Sequence, residues 1–91
     1  MTATVRIPTI LRTNTEGASE VTADGTTLAE VLDDLGSNYA GIKGRILDDQ
    51  GELRRFVNVY VGNDDVRFLD GLATQVNDGS EVSVIPAVAG G

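Results

Sequence analysis

The chemical group best placed to react in this chain is the carboxylate of its last residue, Gly91. Neither Gly90 nor the segment 87–89 offers a side chain that could act as an acid, base, nucleophile or metal ligand. Because glycine has no Cβ, a Gly-Gly end can thread a narrow channel and let a partner's backbone or a phosphate approach closely. We therefore expect a terminus that is delivered into another protein's active site, the alternative being a frayed end with chance glycines.

The rest of the composition offers few catalytic groups. The 91 residues include no histidine and no cysteine, which removes the commonest general base, thiolate nucleophiles, disulfides and most sets of transition-metal ligands. An independent enzyme would have to rely on carboxylates, serine or lysine. We expect that the chain is not an enzyme and holds no metal. The absence of cysteine also fits a reducing cytosol.

The charge balance narrows the choice of partners. Fourteen acidic residues against seven basic ones give a net charge of −7, which disfavours nucleic acid and anionic membrane surfaces as partners. Residues 1–7 alternate polar and apolar side chains, so they predict neither a signal peptide nor a spanning helix. We expect a cytoplasmic protein.

Three short charged pairs have a binding interpretation and a structural one. The acidic pairs 48–49 and 64–65 could suggest calcium, but they lie in turn-rich segments without EF-hand spacing, which favours solvated turns. The basic pair 54–55 could meet an acidic partner or a phosphate, and a solvated strand entrance is the favoured interpretation.

Alternating apolar residues predict five strands. The clearest alternation places Val57, Val59 and Val61 on one face, which we expect to be the core. Turn residues at 62–64 predict a hairpin that leads into a short return strand. The predicted strands span residues 4–7, 19–23, 56–61, 65–68 and 80–85, and Pro86, which lacks an amide donor, is expected to end the last one.

One helix is predicted between the second and third strands. Thr27 and Glu30 have the spacing of a capping box, and a stripe of apolar residues at helical spacing follows and ends at Gly36. The stripe consists of Leu28, Val31, Leu32 and Leu35. Residues 37–53 are rich in turn formers, and Ile42, Ile46 and Leu47 within them are expected to form a short turn that caps the core.

The order strand, strand, helix, strand, strand, strand, joined to a free Gly-Gly end, resembles the ubiquitin-like β-grasp fold. The resemblance implies an α+β fold: a mixed sheet of about five strands, one main helix across one face and a flexible C-terminal tail. The β-grasp domain would span residues 1–86 and the tail residues 87–91.

Within that fold, the chain resembles the bacterial sulfur carrier proteins of the ThiS/MoaD family. Segments 5–12 and 86–91 are similar to the CysO-type carriers of actinobacterial cysteine biosynthesis. Molybdopterin-type members more often show a second proline or other residues in the tail, and this chain departs from them there. In the last third the resemblance is carried by Asn63, Asp65, Val66, Gly71, Leu72, Thr74, Asp78, Gly79, Val82, Pro86, Gly90 and Gly91.

The resemblance implies a reaction at Gly91. A ubiquitin-activating-like adenylyltransferase and sulfurtransferase would adenylate this carboxylate with ATP and convert it to a thiocarboxylate. The thiocarboxylate would then donate sulfide to an acceptor such as a cysteine synthase that contains pyridoxal phosphate. A metalloprotease that processes the C-terminus is a further implied partner. The chain would hold no cofactor itself, act as a protein co-substrate and be a monomer when free.

The tail and the outer sheet face would bring the carboxylate to the partner. Five extended residues beyond Pro86 reach roughly 17 Å, so we expect the tail to enter a partner's active site. Phe56, Tyr60 and Ile85 lie opposite the valines by parity and form a candidate docking patch, unless the 37–53 segment covers them. The tail residues needed for entry are Ala87, Val88, Ala89 and Gly90.

Other functions use the same end. The chain could be the small subunit of molybdopterin synthase, or a thiolation carrier for thiamine or a secondary metabolite. It could also be a ubiquitin-like modifier, whose activated Gly91 would form an isopeptide bond with a target lysine. The final sulfur acceptor is not encoded in the chain.

Overall fold

A mixed five-stranded sheet forms the centre of the molecule in the computed structural model, which describes residues 2–55 and 57–86. The strand order is β2-β1-β5-β3-β4, with β1 and β5 parallel and the other neighbours antiparallel. The elements are β1 (Thr2–Arg6), β2 (Glu20–Asp24), α1 (Leu28–Asn38), α2 (Ile42–Ile46), β3 (Val57–Val61), β4 (Asp64–Asp65) and β5 (Glu81–Pro86). This is the expected α+β fold.

The core lies on the face of the sheet that the alternation predicted. Val57 and Val59 of β3 and Val82 and Val84 of β5 are buried, whereas Val61 is half-buried. All four buried valines belong to one cluster with the apolar residues of α1. Because side chains alternate along a strand, the residues between these valines lie on the opposite, outer face of the sheet.

The predicted cap of α1 is only half correct. The Thr27 hydroxyl accepts a hydrogen bond from the Glu30 backbone N–H at 3.3 Å, as in a capping box. The Glu30 carboxylate, however, accepts from the backbone N–H of Thr26 at 2.7 Å and from its hydroxyl at 2.6 Å, not from Thr27. The Thr26 hydroxyl first, and then its amide, lower the pKa of Glu30.

Gly36 does not end α1, which was the prediction. The helix continues to Asn38, and a Cβ built on Gly36 would lie 2.9 Å from Cβ of Lys43 in α2. Gly36 therefore lets α2 approach α1 closely, which is a packing role that sequence alone does not distinguish from a helix stop.

The 37–53 segment caps the core as expected. Ile42 and Ile46 of α2 and the following Leu47 are all buried in the core cluster. These three side chains therefore pack with the inward valines and do not cover the outer face of the sheet.

The return strand predicted over 65–68 is wrong beyond its first residue. Strand β4 is only Asp64–Asp65, and Val66–Phe68 forms a 3₁₀ turn. The Asp65 carboxylate accepts a hydrogen bond from the Arg67 N–H at 2.9 Å, which turns the chain out of the ladder. Val66 is consequently buried, and Phe68 points outward with 87% of its surface exposed.

Candidate functional site at the exit of the last strand

The C-terminal tail leaves the domain from the middle of the sheet. β5 lies between β1 and β3, and Pro86, its last residue, is paired with Val57 of β3. The buried side chains of Val82 and Val84 fix β5 on the core side. β3 pairs with β5 as far as Pro86, whereas the pairing with β1 ends at Ser83, so the point at which the tail begins is held by β3.

The tail itself lies outside the described residues. This applies to Gly91, the predicted reacting group, and to Gly90, Ala89, Val88 and Ala87. Their roles stay predictions. Phe56 of the predicted docking patch also lies outside the described residues.

The structure brings the other two docking residues together on the outer face. Ser83 of β5 is paired with Tyr60 of β3, and Ile85 is paired with Asn58. Tyr60 and Ile85 are therefore diagonal neighbours on adjacent strands, close enough for long side chains to touch the same partner. Ile85 is 49% exposed, whereas Tyr60 is less exposed and half-buried.

A shallow cleft of about 270 Å³ lies beside Ile85, where β1 and β5 run in parallel. The alternation within β1 and β5 did not reveal it, because the parallel pairing of the first and last strands joins residues far apart in sequence. The cleft is lined by Arg6, Ile7, Pro8, Ser83, Val84 and Ile85.

The charge of the outer face is partly balanced across β1 and β5. The Arg6 guanidinium lies 3.4 Å from the Glu81 carboxylate, with 56% and 46% of the two side chains exposed. An ion pair this exposed contributes less than about 1 kcal/mol to folding. Arg6 is thus available to a carboxylate of a docking partner.

The acidic pairs act in turns. The Asp48 carboxylate accepts from the backbone N–H groups of Gln50 and Glu52 at 2.9 and 3.0 Å, and Asp65 accepts from Arg67 as described above. Within the described residues, no three carboxylates are grouped so that they could hold a metal ion.

The basic pair lies at the entrance of β3, in exposed positions. The Arg54 guanidinium donates to the Gly44 carbonyl at 2.8 Å, which ties the strand entrance to α2. This contact supports the structural interpretation of Arg54.

No helix in the described part of the chain combines the length and the apolar character that a membrane crossing requires.

Among the described residues, three exposed large apolar residues beyond the predicted patch were missed, and one of them, Ile10, is 56% exposed in the stretch after β1. Phe68 and Leu69 are 87% and 46% exposed at the end of the 3₁₀ turn. The prediction placed Phe68 in a strand, where one face would have been covered.

The family is shown by comparison with known proteins. The model of the ThiS family matches residues 5–91 of this chain. Sulfur carrier protein CysO of Mycobacterium tuberculosis is 54% identical over an alignment of 93 positions that covers all of both chains. Small archaeal modifier protein 3 of Haloferax volcanii is 46% identical over 68 positions, which cover 75% of this chain and 73% of the relative.

The fold agrees with solved structures. In a crystal structure of the Amycolatopsis orientalis BexX/CysO complex, one chain superposes on this one with a TM-score of 0.92 and 52% identity. The match covers 98% of this chain and 99% of the other. A fold that agrees over the full length and a family match that includes the Gly-Gly end lead to one assignment: the chain belongs to the ThiS family.

Proposed function

We propose that this chain is a sulfur carrier whose C-terminal Gly91 is adenylated, converted to a thiocarboxylate and used as a sulfide donor in cysteine biosynthesis. The observation that carries the proposal is the full-length identity of 54% to a protein named sulfur carrier protein CysO. The family match extends through Gly91. The carrier is not an enzyme and acts as a co-substrate of its partners.

The chemistry needs little from the carrier. The Gly91 carboxylate attacks the α-phosphorus of ATP in an activating enzyme, pyrophosphate leaves, and an acyl-adenylate forms. Sulfide then attacks the acyl carbon and AMP leaves, so that the product is a thiocarboxylate in which sulfur replaces one carboxylate oxygen. The carrier contributes the position of the reacting carbon, which can account for much of a rate enhancement.

The structure supports a carrier that positions the reacting carboxylate while its partners perform the chemistry. The tail starts at the end of β5, which pairs with β3 through Pro86 and with β1 up to Ser83. The exposed Ile85 lies one residue before the end of β5 and lines the cleft. A partner that binds this cleft would hold the start of the tail at a fixed distance from its own active site.

Delivery of the sulfur completes the proposal. In an acceptor enzyme, pyridoxal phosphate would make a three-carbon amino acid substrate electrophilic, and the thiocarboxylate sulfur would add to it. The acyl group of the carrier would then shift from sulfur to the amino group, and hydrolysis of that amide by a metalloprotease would release cysteine and restore the Gly91 carboxylate. ATP and pyridoxal phosphate belong to the partners, and the carrier binds neither as its own cofactor. The proposed place of action is the cytoplasm.

Intact-mass measurement tests the proposal. With ATP, the cognate activating enzyme and a sulfur source, the chain should gain the mass of one sulfur in place of one oxygen, and fragmentation should place the change at Gly91. A chain that stays unchanged under conditions that load a CysO protein would contradict the proposed function.

One second function has an observation in its favour. The similarity to small archaeal modifier protein 3 covers 75% of this chain, and a modifier would use the same acyl-adenylate. The lysine amine of a target protein would attack the acyl carbon and form an isopeptide bond. Heavier conjugates that resist reducing agents would favour the modifier, whereas a thiocarboxylate without conjugates favours the carrier.

A further inference from the structure

Strand β2 forms one edge of the sheet and pairs only with β1. The Ile7 N–H donates to the Ser19 carbonyl at 2.8 Å, which fixes which residues of the antiparallel pair exchange hydrogen bonds. Bonded and non-bonded pairs alternate along such a ladder. Ser19, Val21 and Ala23 therefore bond to β1, whereas the backbone groups of Glu20 and Thr22, which lie between them, point away from the sheet.

The chain closes both ends of this edge with its own groups. At one end the Asp24 N–H donates to the Asp34 carboxylate of α1 at 2.9 Å. At the other end both backbone groups of Ala18 already have hydrogen-bond partners. Its N–H donates to the Thr15 carbonyl at 3.1 Å, and its carbonyl accepts from the Thr15 hydroxyl at 2.8 Å.

The middle of the edge is left open. Across residues 2–55 and 57–86, no group outside the ladder bonds to the backbone N–H or C=O of Glu20 or Thr22. These groups give two donors and two acceptors in an extended row, which is the arrangement that an added strand requires.

The opposite edge of the sheet is treated differently. There β4 has only two residues, and the Arg67 guanidinium lies beside β3, where it donates to the Asn58 side chain at 2.6 Å and to the Arg54 carbonyl at 2.7 Å. Short strands and cations on an edge are common protections against strand addition. The β2 edge carries neither.

The negative charge around the open edge favours a partner segment that carries positive charge. The stretch 16–34 contains six acidic residues and no Lys or Arg. Glu20 and Asp24 are exposed on the outer face, and Asp34 of the adjacent α1 adds negative charge. Two cations lie nearby, and both are paired with other carboxylates: Lys43 with Asp33, and Arg6, which faces Glu20 from β1, with Glu81. Opposite charges on directly facing strand residues stabilise a pair.

We propose that the β2 edge binds an extended segment of a partner protein by strand addition, and that this segment carries Lys or Arg at alternate positions. The basic side chains would face Glu20 and Asp24 on the outer face, and the intervening side chains would lie on the side of α1. Strand β1 separates this edge from β5, so the proposed site is distinct from the exit of the tail.

Peptide titration of the full chain, followed by NMR and amide exchange, tests the site. The probe is an acetylated and amidated Lys-Val-Lys-Val-Lys peptide. It should shift the Glu20 and Thr22 amides and slow their exchange at least tenfold, because both amides become hydrogen-bonded. A peptide with Glu in place of Lys should not bind, and one with Gly in place of Val should bind about fivefold more weakly. Equal binding of the Gly peptide, or no added protection, would overturn the proposal.

Two variants complete the test. Thr22→Pro removes an outward donor that does not bond to β1, so the fold should persist while peptide affinity falls about tenfold. Glu20→Lys should weaken binding by a similar factor, whereas the matched charge change Glu52→Lys at a distant exposed turn should leave it within about twofold. If both lysine variants weaken binding equally, the peptide responds to the net negative charge of the chain and not to the β2 edge, which would refute the site. This outcome can be read even if Thr22→Pro fails to fold.

Discussion

Glu30 links the charge state of one residue to the start of α1. Its pKa is lowered because the charged carboxylate accepts hydrogen bonds from the Thr26 hydroxyl and amide. A carboxyl whose pKa is lower in the folded chain stabilises the fold above its unfolded pKa, and this contribution is lost as the pH falls through the folded pKa.

Glu30→Gln should therefore remove part of the acid sensitivity of the fold. We expect the melting temperature of the variant to fall less than that of the parent between pH 7 and pH 3, since the amide cannot be protonated in this range. Thermal melts across this pH series measure the difference. Parallel curves for the two proteins would show that the Thr26 contacts are not specific to the charged form.

Gly36 and Gly44 allow a matched test of close packing. A Cβ on Gly36 would lie 2.9 Å from the Lys43 Cβ, whereas a Cβ on Gly44 would meet nothing within 4 Å. Gly36→Ala should lower the free energy of unfolding by about 1 kcal/mol or more, because the crowding outweighs the gain in helix propensity. Gly44→Ala should raise it by about 0.5 kcal/mol. Urea unfolding of both variants measures the two effects, and stabilisation by Gly36→Ala would show that α2 can move aside.

At the scale of elements, the end of β5 is predicted to be the docking element. Ile85→Ala should lower kcat/KM for adenylation by the cognate enzyme about tenfold, because an exposed apolar anchor contributes to binding more than to folding. The melting temperature should stay within about 2 °C of the parent. Phe68→Ala is the matched control, since Phe68 is large, apolar and 87% exposed but lies on the turn after β4. An equal loss of activation by both variants would place the docking surface elsewhere.

Tyr60 is expected to behave differently from Ile85. It is half-buried, so Tyr60→Ala should reduce both activation and the melting temperature. The parity of β3 correctly placed Tyr60 on the outer face, but parity does not say how far neighbouring strands cover a side chain.

Elements defined by local pattern were predictable, and those defined by side-chain contacts were not. The stripe of α1 and the valines of β3 appear in the sequence because burial repeats every 3.6 or 2 residues. The short β4 depends on the Asp65 carboxylate reaching the Arg67 amide, a contact that alternation does not encode. Gly36 was misinterpreted because a helix stop and a close helix contact use the same residue.

At the scale of the whole molecule, the position of Pro86, the last described residue, follows from the sheet order. The sequence order of strands does not reveal that β5 lies between β1 and β3, because the parallel pairing of β1 with β5 spans almost the entire chain. The Gly-Gly end was singled out from its chemistry, whereas the cleft beside Ile85 appears only when the first and last strands meet.

Three changes to the tail test whether Gly91 is the acyl donor. Deletion of Gly91 should abolish sulfur loading and leave the melting temperature unchanged, because the core cluster of the described residues runs from Ala3 to Val84 and a terminal glycine adds no apolar side chain to it. Gly90→Val should lower the loading rate about a hundredfold, since a β-branched side chain restricts the backbone and displaces the reacting carbon in a narrow channel. A residue added after Gly91 should block loading until a protease removes it. Time-resolved intact-mass measurement with a cognate activating enzyme follows all three variants. If each acquires sulfur as fast as the parent, Gly91 is not the acyl donor.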